Sequence, residues 1–307
     1  MSPGDLLDKH EVAYNDFVSV HIKVHQANPN SWTRKLKDYI ELLNPGGSFP
    51  YYFTQRNERG EVEVGRLLGP DGQQVITVDG PHSAPSEHYN EYGTVMLIGA
   101  GIGLTPCSSI LSALLKFRWK KNFRPEILHF YWVVRQSDVD GFQWFIRRLT
   151  ELEHGLKRDR EQEQVDRRYY AEINIFVTGA KEKRDVQPMR GGKRLVYSDA
   201  LTQPSFADED LYAAMLNPTV SSKEATAILG DPERAESAPN RFQDIFVWNG
   251  RPIWSEIFAQ VKENRVDRNI GVCFCGAPVI GAALGENCRL YSSEEEDCLF
   301  TLHKENF

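Results

Sequence analysis

The sequence predicts an α/β fold in which helices cover both faces of a parallel sheet. From residue 94 onward, short apolar runs alternate with segments whose large apolar residues recur three and four positions apart, which is typical of β-α-β units. One apolar run, Val95-Met96-Leu97-Ile98, leads directly into the turn Gly99-Ala100-Gly101-Ile102-Gly103, and a helical pattern follows. Strand, glycine-rich turn and helix in this order are typical of a nucleotide-binding sheet.

Composition limits the class of protein. The 307 residues are 41% hydrophobic and 26% charged, as expected of a globular protein. A net charge of −7 has the wrong sign for binding nucleic acid by neutralising phosphates. Five cysteines without paired C-x-x-C spacing favour a reducing, intracellular setting and no metal site. Since no run of about 20 apolar residues occurs, we expect the chain alone to be soluble and cytoplasmic.

The first part of the chain has few regular patterns. Residues 17–24 alternate apolar and polar, which predicts a strand, and residues 31–43 have helical spacing with Asn30 or Ser31 as cap. A further strand is predicted at residues 74–78. The pattern changes between residues 82 and 93, where we expect a domain boundary.

The second part alternates strands and helices in a regular order. It is interrupted at about residues 181–240, a segment rich in glycine, proline and charge that we interpret as an insertion of loops and short helices. The predicted strands cover residues 94–99, 127–134, 172–177, 244–248 and 270–275. The clearest predicted helices cover residues 105–118, 141–156 and 253–264.

The glycine-rich turn is a candidate phosphate site. Glycine at 101 and 103 would let backbone N–H groups approach a pyrophosphate without an intervening Cβ, and the following helix N-terminus would attract the anion. Pro106 suits the first helical turn, which needs no amide donor there. The third glycine of the common dinucleotide fingerprint is absent, so an ordinary Rossmann dehydrogenase is disfavoured. A tight corner without a ligand is the alternative.

Arg135 ends the second strand of this part. In nicotinamide-binding sheets that position faces the adenosine ribose, where an arginine favours the 2′-phosphate of NADP over NAD. A guanidinium can hold a phosphate with two hydrogen bonds. The alternatives are a solvated arginine, or one paired with Asp138 or Asp140.

Several blocks together resemble a known family. They are Asp79-Gly80-Pro81, the turn from Gly99 to Pro106, Tyr131-Trp132 with Arg135, Phe142-Gln143-Trp144-Phe145, Gly250-Arg251-Pro252-Ile253-Trp254, Cys275-Gly276-Ala277-Pro278 and Lys304-Glu305-Asn306-Phe307. In this order they resemble the dehydrogenase region of NADPH oxidases and related ferric reductases, which is similar to ferredoxin–NADP reductases. The resemblance runs from about residue 17 to the last residue and is interrupted by the insertion.

The resemblance implies an activity and a site. Such proteins pass a hydride from NADPH to FAD, and then single electrons through membrane haems to oxygen, giving superoxide, or to ferric iron. The implied nucleotide-binding residues are Gly99, Gly101, Gly103, Thr105, Pro106, Arg135 and Arg251. The implied residues beside the nicotinamide and flavin are Cys275, Gly276, Pro278, Glu305 and Phe307, of which Cys275, Glu305 and Phe307 are the catalytic candidates. A compact buried cysteine without such a role is the alternative for Cys275.

The resemblance also implies two domains. Residues 1–88 would form a partial antiparallel β-barrel that binds FAD, and residues 89–307 the NADPH domain with its insertion at about 181–240. The flavin barrel's His-Pro-Phe-Thr block is missing, and its second block survives in altered form as His21, Lys23, Trp32 and Thr33. For His21 and Trp32, ordinary strand and helix packing is the alternative.

The missing block leaves three interpretations of the chain. It is an excised or divergent oxidase module, a ferric reductase fragment, or a non-catalytic NADPH-binding or regulatory module that has lost the flavin. As an oxidase module it would act at the cytosolic face of a membrane, with a haem-bearing domain or subunit as its partner.

Overall fold

This computed structural model describes residues 22, 24, 28–43, 54–56, 59, 62–64, 85–180, 183–184, 206–242 and 244–306. The chain divides into two compact units, Met1–His82 with Arg190–Gln203, and Ser83–Met189 with Pro204–Phe307. The predicted strand at 74–78 lies outside the described residues, and so does the predicted strand at 17–24 apart from Ile22 and Val24.

In the first unit the described elements are one helix and two short strands. Helix α1 covers Trp32–Leu43, close to its predicted bounds. Its cap is Ser31, whose Oγ accepts a hydrogen bond from the Arg34 amide at 3.2 Å. Strands β1 (Thr54–Arg56) and β2 (Val62–Val64) pair antiparallel. The predicted flavin barrel stays a prediction.

The second unit is built on a mostly parallel sheet, which confirms the predicted α/β class. Its strands are β3 (Thr94–Ala100), β4 (Ile127–Arg135), β5 (Tyr170–Thr178), β6 (Arg241–Phe242), β7 (Ile245–Asn249), β8 (Asn269–Gly276) and β9 (Leu299–Asn306). Within the described residues the seven strands lie in the order β6-β7-β5-β4-β3-β8-β9, and only β6 is antiparallel to its neighbour. The five predicted strands are all present. The structure adds β6 and β9.

Helices cover both faces of this sheet. They are α2 (Leu104–Ala113), which continues as a π-helical turn (Leu114–Arg118), α3 (Gln143–Glu161), α4 (Phe206–Leu216), α5 (Ala225–Leu229), α6 (Pro232–Glu236), α7 (Trp254–Glu263) and α8 (Pro278–Tyr291). One buried cluster joins the sheet to α2, α3 and α4, and the other joins it to α5, α7 and α8. Because the sheet is buried on both sides, its central strands are continuous apolar runs rather than alternating ones.

An aromatic and imidazole cluster joins the start of the second unit to its last strand. Tyr92, just before β3, places its hydroxyl 2.7 Å from Nε2 of His303 on β9. The ring of His88 stacks on His303 with centroids 4.6 Å apart, and its Nδ1 lies 2.7 Å from Oε1 of Glu91. These contacts attach β9, an edge strand, to the segment that enters the sheet.

Strand order reverses at β3, because β4 lies on one side of it and β8 on the other. The turn after β3 packs tightly against the end of β8: a Cβ on Gly103 would lie 2.2 Å from the Cys275 carbonyl oxygen. Gly276 has φ of 150°, and a Cβ there would lie 2.6 Å from the Cβ of Ala100. Glycine at both positions is therefore what allows the turn and the strand end to meet.

We predict that Gly103→Ala lowers the free energy of unfolding by about 2–4 kcal/mol, because the added methyl group meets backbone atoms that have no space to move. The matched control is Gly155→Ala within α3, where an added Cβ has no atom within 4 Å. That control should be neutral or stabilising by up to about 1 kcal/mol. Urea unfolding measures both variants, and equal stability of the two would contradict the packing argument.

The buried carboxyl group of Glu153 makes the stability of the fold depend on pH. Glu153 on α3 is 4% exposed, and burial, with the nearby charge of Asp244 adding to it, raises its pKa to about 7. Because the folded-state pKa exceeds the unfolded one, its stabilisation is complete at low pH and is lost as pH rises through about 7. We expect Glu153→Gln to remove a stability loss of about 1–3 kcal/mol between pH ~5 and pH ~8.

Urea denaturation at several pH values measures this effect. Glu151→Gln, on the same helix with a side chain 38% exposed, is the matched control and should keep the wild-type pH dependence. If the free energy of unfolding of Glu153→Gln depends on pH as in the wild type, another group causes that dependence.

Candidate functional site

The candidate site lies at the carboxyl ends of β3, β4 and β8, where strand order reverses. Open parallel sheets bind ligands in the crevice at this kind of switch point. Gly99 of β3 pairs with Trp132 of β4 and with Cys275 of β8, and Cys275 pairs in turn with Glu305 of β9. The strand register thus brings together predicted residues that lie up to 206 positions apart (Gly99 and Glu305).

The turn after β3 has the geometry expected of a phosphate site at Gly101. That residue has φ of 57°, and no atom lies within 4 Å of the position of a Cβ, so its backbone faces open space. Thr105, in the first turn of α2, donates its hydroxyl to the Ile102 carbonyl at 3.2 Å. Pro106 follows in the same turn. The positive end of the α2 dipole lies at this turn, where it favours an anion.

Gly99 and Gly103 are needed for packing. A Cβ on Gly99 would lie 3.1 Å from the Cα of Leu104, and one on Gly103 would overlap the end of β8. The prediction that Gly103 leaves space for a pyrophosphate is therefore wrong, because its Cα faces the Cys275 backbone. Contact of either glycine with a nucleotide stays a prediction.

Two arginines at the carboxyl ends of strands are available to bind an anion. Arg135 is the last residue of β4, and Arg251 follows β7. Both are exposed, and among the described residues neither guanidinium has a hydrogen-bond or ion-pair partner. The alternative in which Asp140 pairs with Arg135 is not what the structure shows, because Asp140 Oδ2 lies 2.7 Å from Nη2 of Arg184. Exposed cations after the carboxyl ends of the strands suit a phosphorylated ligand.

The backbone conformation of Gly250 sets the path of the chain just before Arg251. Its φ is 119°, and a Cβ there would lie 2.6 Å from the hydroxyl oxygen of Ser222. Its amide donates to the Val177 carbonyl at 2.9 Å. The chain therefore leaves β7 beside the end of β5, and Trp254 then packs edge-on against Tyr131 at 6.1 Å between centroids.

A thiol and carboxylate pair lies beside the glycine turn, at the carboxyl ends of β8 and β9. Cys275 Sγ lies 3.5 Å from Oε2 of Glu305. Burial, and then the charge of Glu305, raises the pKa of Cys275 to about 12, so the thiol is protonated at neutral pH and donates to the carboxylate. A neutral buried thiol is a poor nucleophile. The contact with Glu305 gives Cys275 a polar interaction beyond the compact apolar alternative.

Strand β8 continues into α8 through the predicted block Cys275-Gly276-Ala277-Pro278. Gly276 packs on Ala100, and Pro278 begins α8 after Ala277, where a missing amide hydrogen costs nothing. The other cysteines are also buried, and all five are free. Burial likewise raises the pKa of Cys107 and, to about 12, that of Cys273.

The predicted flavin contacts are only partly described. His21, Lys23 and Phe307 lie outside the described residues. The Trp32 side chain is 60% exposed, which is not the ordinary helix packing given as its alternative. Thr33 Oγ1 lies 3.4 Å from the Ser31 hydroxyl at the start of α1.

The described part of the chain contains neither a bilayer-spanning helix nor a cluster of metal ligands. None of its helices combines the length and the apolar character needed to cross a bilayer. No group of three or more His, Cys, Asp or Glu side chains there is arranged to hold a metal ion.

Sequence reasoning missed other residues near the crevice. Arg184 and Tyr212 both bind Asp140, and His303 anchors the strand that carries Glu305. Arg184 and Tyr212 lie in the segment interpreted as an insertion, so spacing gave no signal for them. The alternation of Phe300 and Leu302 with polar residues could have revealed β9.

Comparison with known proteins finds relatives along almost the whole chain. Over 95% of its length it is 29% identical to a superoxide-generating NADPH oxidase heavy chain of Dictyostelium discoideum, covering 43% of that protein. It is 28% identical to a second superoxide-generating NADPH oxidase heavy chain of the same organism, covering 32% of it. It is 24% identical to respiratory burst oxidase homolog protein D of Solanum tuberosum, covering 29% of it. The chain therefore spans less than half the length of these relatives.

A family comparison agrees with the position of the sheet. The family described as ferric reductase NAD binding domain matches residues 92–289, which include β3 to β8, the glycine turn and Cys275. Because this match covers more than half of the chain, the protein belongs to the ferric reductase NAD-binding domain family.

Proposed function

We propose that this chain is the dehydrogenase module of an NADPH oxidase, which transfers a hydride from NADPH to FAD. One observation carries the proposal: the strand register brings the glycine turn and the Cys275–Glu305 pair together at the point where strand order reverses. A dinucleotide bound across this crevice would have its phosphates at one end and its nicotinamide at the other. The names of the relatives, superoxide-generating oxidases, support the same reaction.

The residues present fit NADPH as the hydride donor. The open face of Gly101 and the N-terminus of α2 would hold the pyrophosphate together with Thr105 and Pro106. The unpaired guanidinium of Arg135 would bind the 2′-phosphate, and Arg251 would lie against the same nucleotide. Gly99, Gly103, Gly276 and Pro278 would shape the crevice through their packing.

The Cys275–Glu305 pair would face the nicotinamide. The protonated thiol is small and uncharged, so a nicotinamide ring can approach it without expelling a hydrated ion. Glu305 keeps that thiol oriented through their hydrogen bond. FAD, when bound, supplies the acceptor of the hydride. The chain's own contribution is orientation and electrostatics rather than acid–base chemistry.

The flavin part of the proposal rests on the sequence. We propose residues 1–88 as the partial FAD-binding barrel and residues 89–307 as the NADPH domain, with His21, Lys23, Trp32 and Thr33 on the flavin and Phe307 stacked against it. In the whole protein, a haem-bearing membrane region would carry electrons from the cytosolic face to oxygen. Its product would be superoxide, which the names of two relatives state.

Anaerobic mixing of the purified chain with FAD and NADPH tests the proposal. We expect the visible absorbance of the flavin to bleach faster than in a protein-free control, and faster with NADPH than with NADH. Bound NADPH without bleaching would favour the alternative, a binding or regulatory module that has lost the flavin. Absence of NADPH binding would refute the proposal.

A substitution tests the cofactor assignment. Arg135→Ala should weaken NADPH binding by about 10- to 100-fold through loss of a bidentate phosphate contact, while NADH binding changes less than about threefold. Arg268→Ala is the matched control, because Arg268 is an exposed arginine at the opposite edge of the sheet, paired with Asp297 at 3.1 Å. Titration of both variants with both nucleotides gives the ratio of NADPH affinity to NADH affinity. An unchanged ratio in Arg135→Ala would remove the argument for NADPH.

A further inference from the structure

An arginine that follows β5 joins two groups of the turn that follows β4. Nη1 of Arg184 donates to the Gln136 carbonyl at 2.8 Å, and its Nη2 lies 2.7 Å from Oδ2 of Asp140. Both acceptors belong to the turn Gln136–Phe142, which begins directly after Arg135. One side chain therefore ties the first residue of this turn to a carboxylate four residues later.

The backbone of Arg184 is itself fixed. Its amide donates to Oδ1 of Asn217 at 2.8 Å, and Nδ2 of Asn217 donates to its carbonyl at 2.9 Å. Asn217 follows α4, whose buried residues belong to the core. The reciprocal pair of bonds thus fixes the backbone of Arg184, from which its guanidinium reaches the turn.

Both oxygens of the Asp140 carboxylate are bound. Tyr212, on α4, donates its hydroxyl to Oδ1 at 2.6 Å, while Arg184 binds Oδ2. Burial alone would raise the pKa of Asp140, but the bonds from Tyr212 and Arg184 and the Arg184 charge outweigh burial and lower that pKa. Asp140 is therefore ionised at neutral pH, and its charge is compensated locally.

An uncompensated carboxylate in this turn would oppose the proposed binding of a phosphate. Asp138 and Asp140 lie three and five positions after Arg135. A free carboxylate so close in sequence would compete for the guanidinium and repel a dianionic 2′-phosphate. In the structure Asp140 pairs with Arg184, and among the described residues Arg135 has no ion-pair partner.

We propose that Arg184 is a specificity-determining positioning residue, which keeps Asp140 away from Arg135 and so preserves the preference for a 2′-phosphorylated dinucleotide. This inference rests on the proposed function, since it assumes that Arg135 binds the 2′-phosphate. Arg184 acts through the turn and through Asp140, and it does not itself contact the nucleotide. Tyr212 supports the same arrangement from α4.

The test uses the full chain and four variants: Arg184→Ala, Asp140→Asn, the double variant, and Arg160→Ala as the control. Arg160 matches Arg184 closely, because it also joins a backbone carbonyl, that of Tyr169, to a carboxylate, that of Asp244. Its side chain is 30% exposed against 34% for Arg184, and it lies at the opposite edge of the sheet. Each protein is titrated with NADPH and NADH, and with 2′,5′-ADP and 5′-AMP as probes of the phosphate alone.

In Arg184→Ala we expect the NADPH over NADH preference to fall by about two- to fivefold, the range of a partly exposed charge interaction, with NADH affinity unchanged. The preference for 2′,5′-ADP over 5′-AMP should fall by the same factor. The double variant should regain the wild-type preference, because the competing carboxylate is gone. Asp140→Asn and Arg160→Ala should both keep it.

Other results would overturn the inference. Equal weakening of NADPH and NADH in Arg184→Ala would mean that the arginine only stabilises the fold, and so would a double variant that does not recover. If Arg184→Ala does not fold, Tyr212→Phe replaces it, and an unchanged preference there would also count against the inference. A wild-type chain that binds 2′,5′-ADP no better than 5′-AMP would instead refute the proposed function.

Discussion

The contact between the Gly103 Cα and the Cys275 carbonyl is the constraint on which the site depends. It exists because β8 returns to the sheet beside β3, on the side away from β4, so that a turn and a strand end meet at one edge. A side chain at Gly103 would separate them by at least the size of a methyl group. The crevice, the exposed face of Gly101 and the position of the Cys275–Glu305 pair all follow from this close approach.

Electrostatics at the edge of the sheet differ from those of the chain as a whole. The net charge is −7, yet Arg135 and Arg251 remain exposed and unpaired among the described residues of the second unit. A net negative charge discourages nonspecific binding of polyanions, while exposed cations after the strand ends still attract a small phosphorylated ligand. The pairing of Asp140 with Arg184 and Tyr212 keeps a nearby negative charge from cancelling that field.

Much of the sheet could be predicted from the sequence, because strands buried on both faces are uninterrupted apolar runs, as in β3 and β4. Strand β9 was missed since His303 and Lys304 interrupt its apolar pattern, and it lies at an edge where such residues are tolerated. The glycine turn was found by its order of residues, but the packing role of Gly103 needed the position of β8. The Arg184–Asp140 pair joins residues 44 positions apart, so no local pattern could have revealed it.

The bond between Tyr92 and His303 brings the first and last parts of the second unit side by side. Because segments near its beginning and its end lie side by side, such a fold tolerates relocation of its ends. A circular permutant of this unit, with a short linker joining the two segments beside that bond and new ends in an exposed loop, would keep every strand of the sheet in its present order. The sequence in which the strands are synthesised could then be changed independently of the crevice that they build.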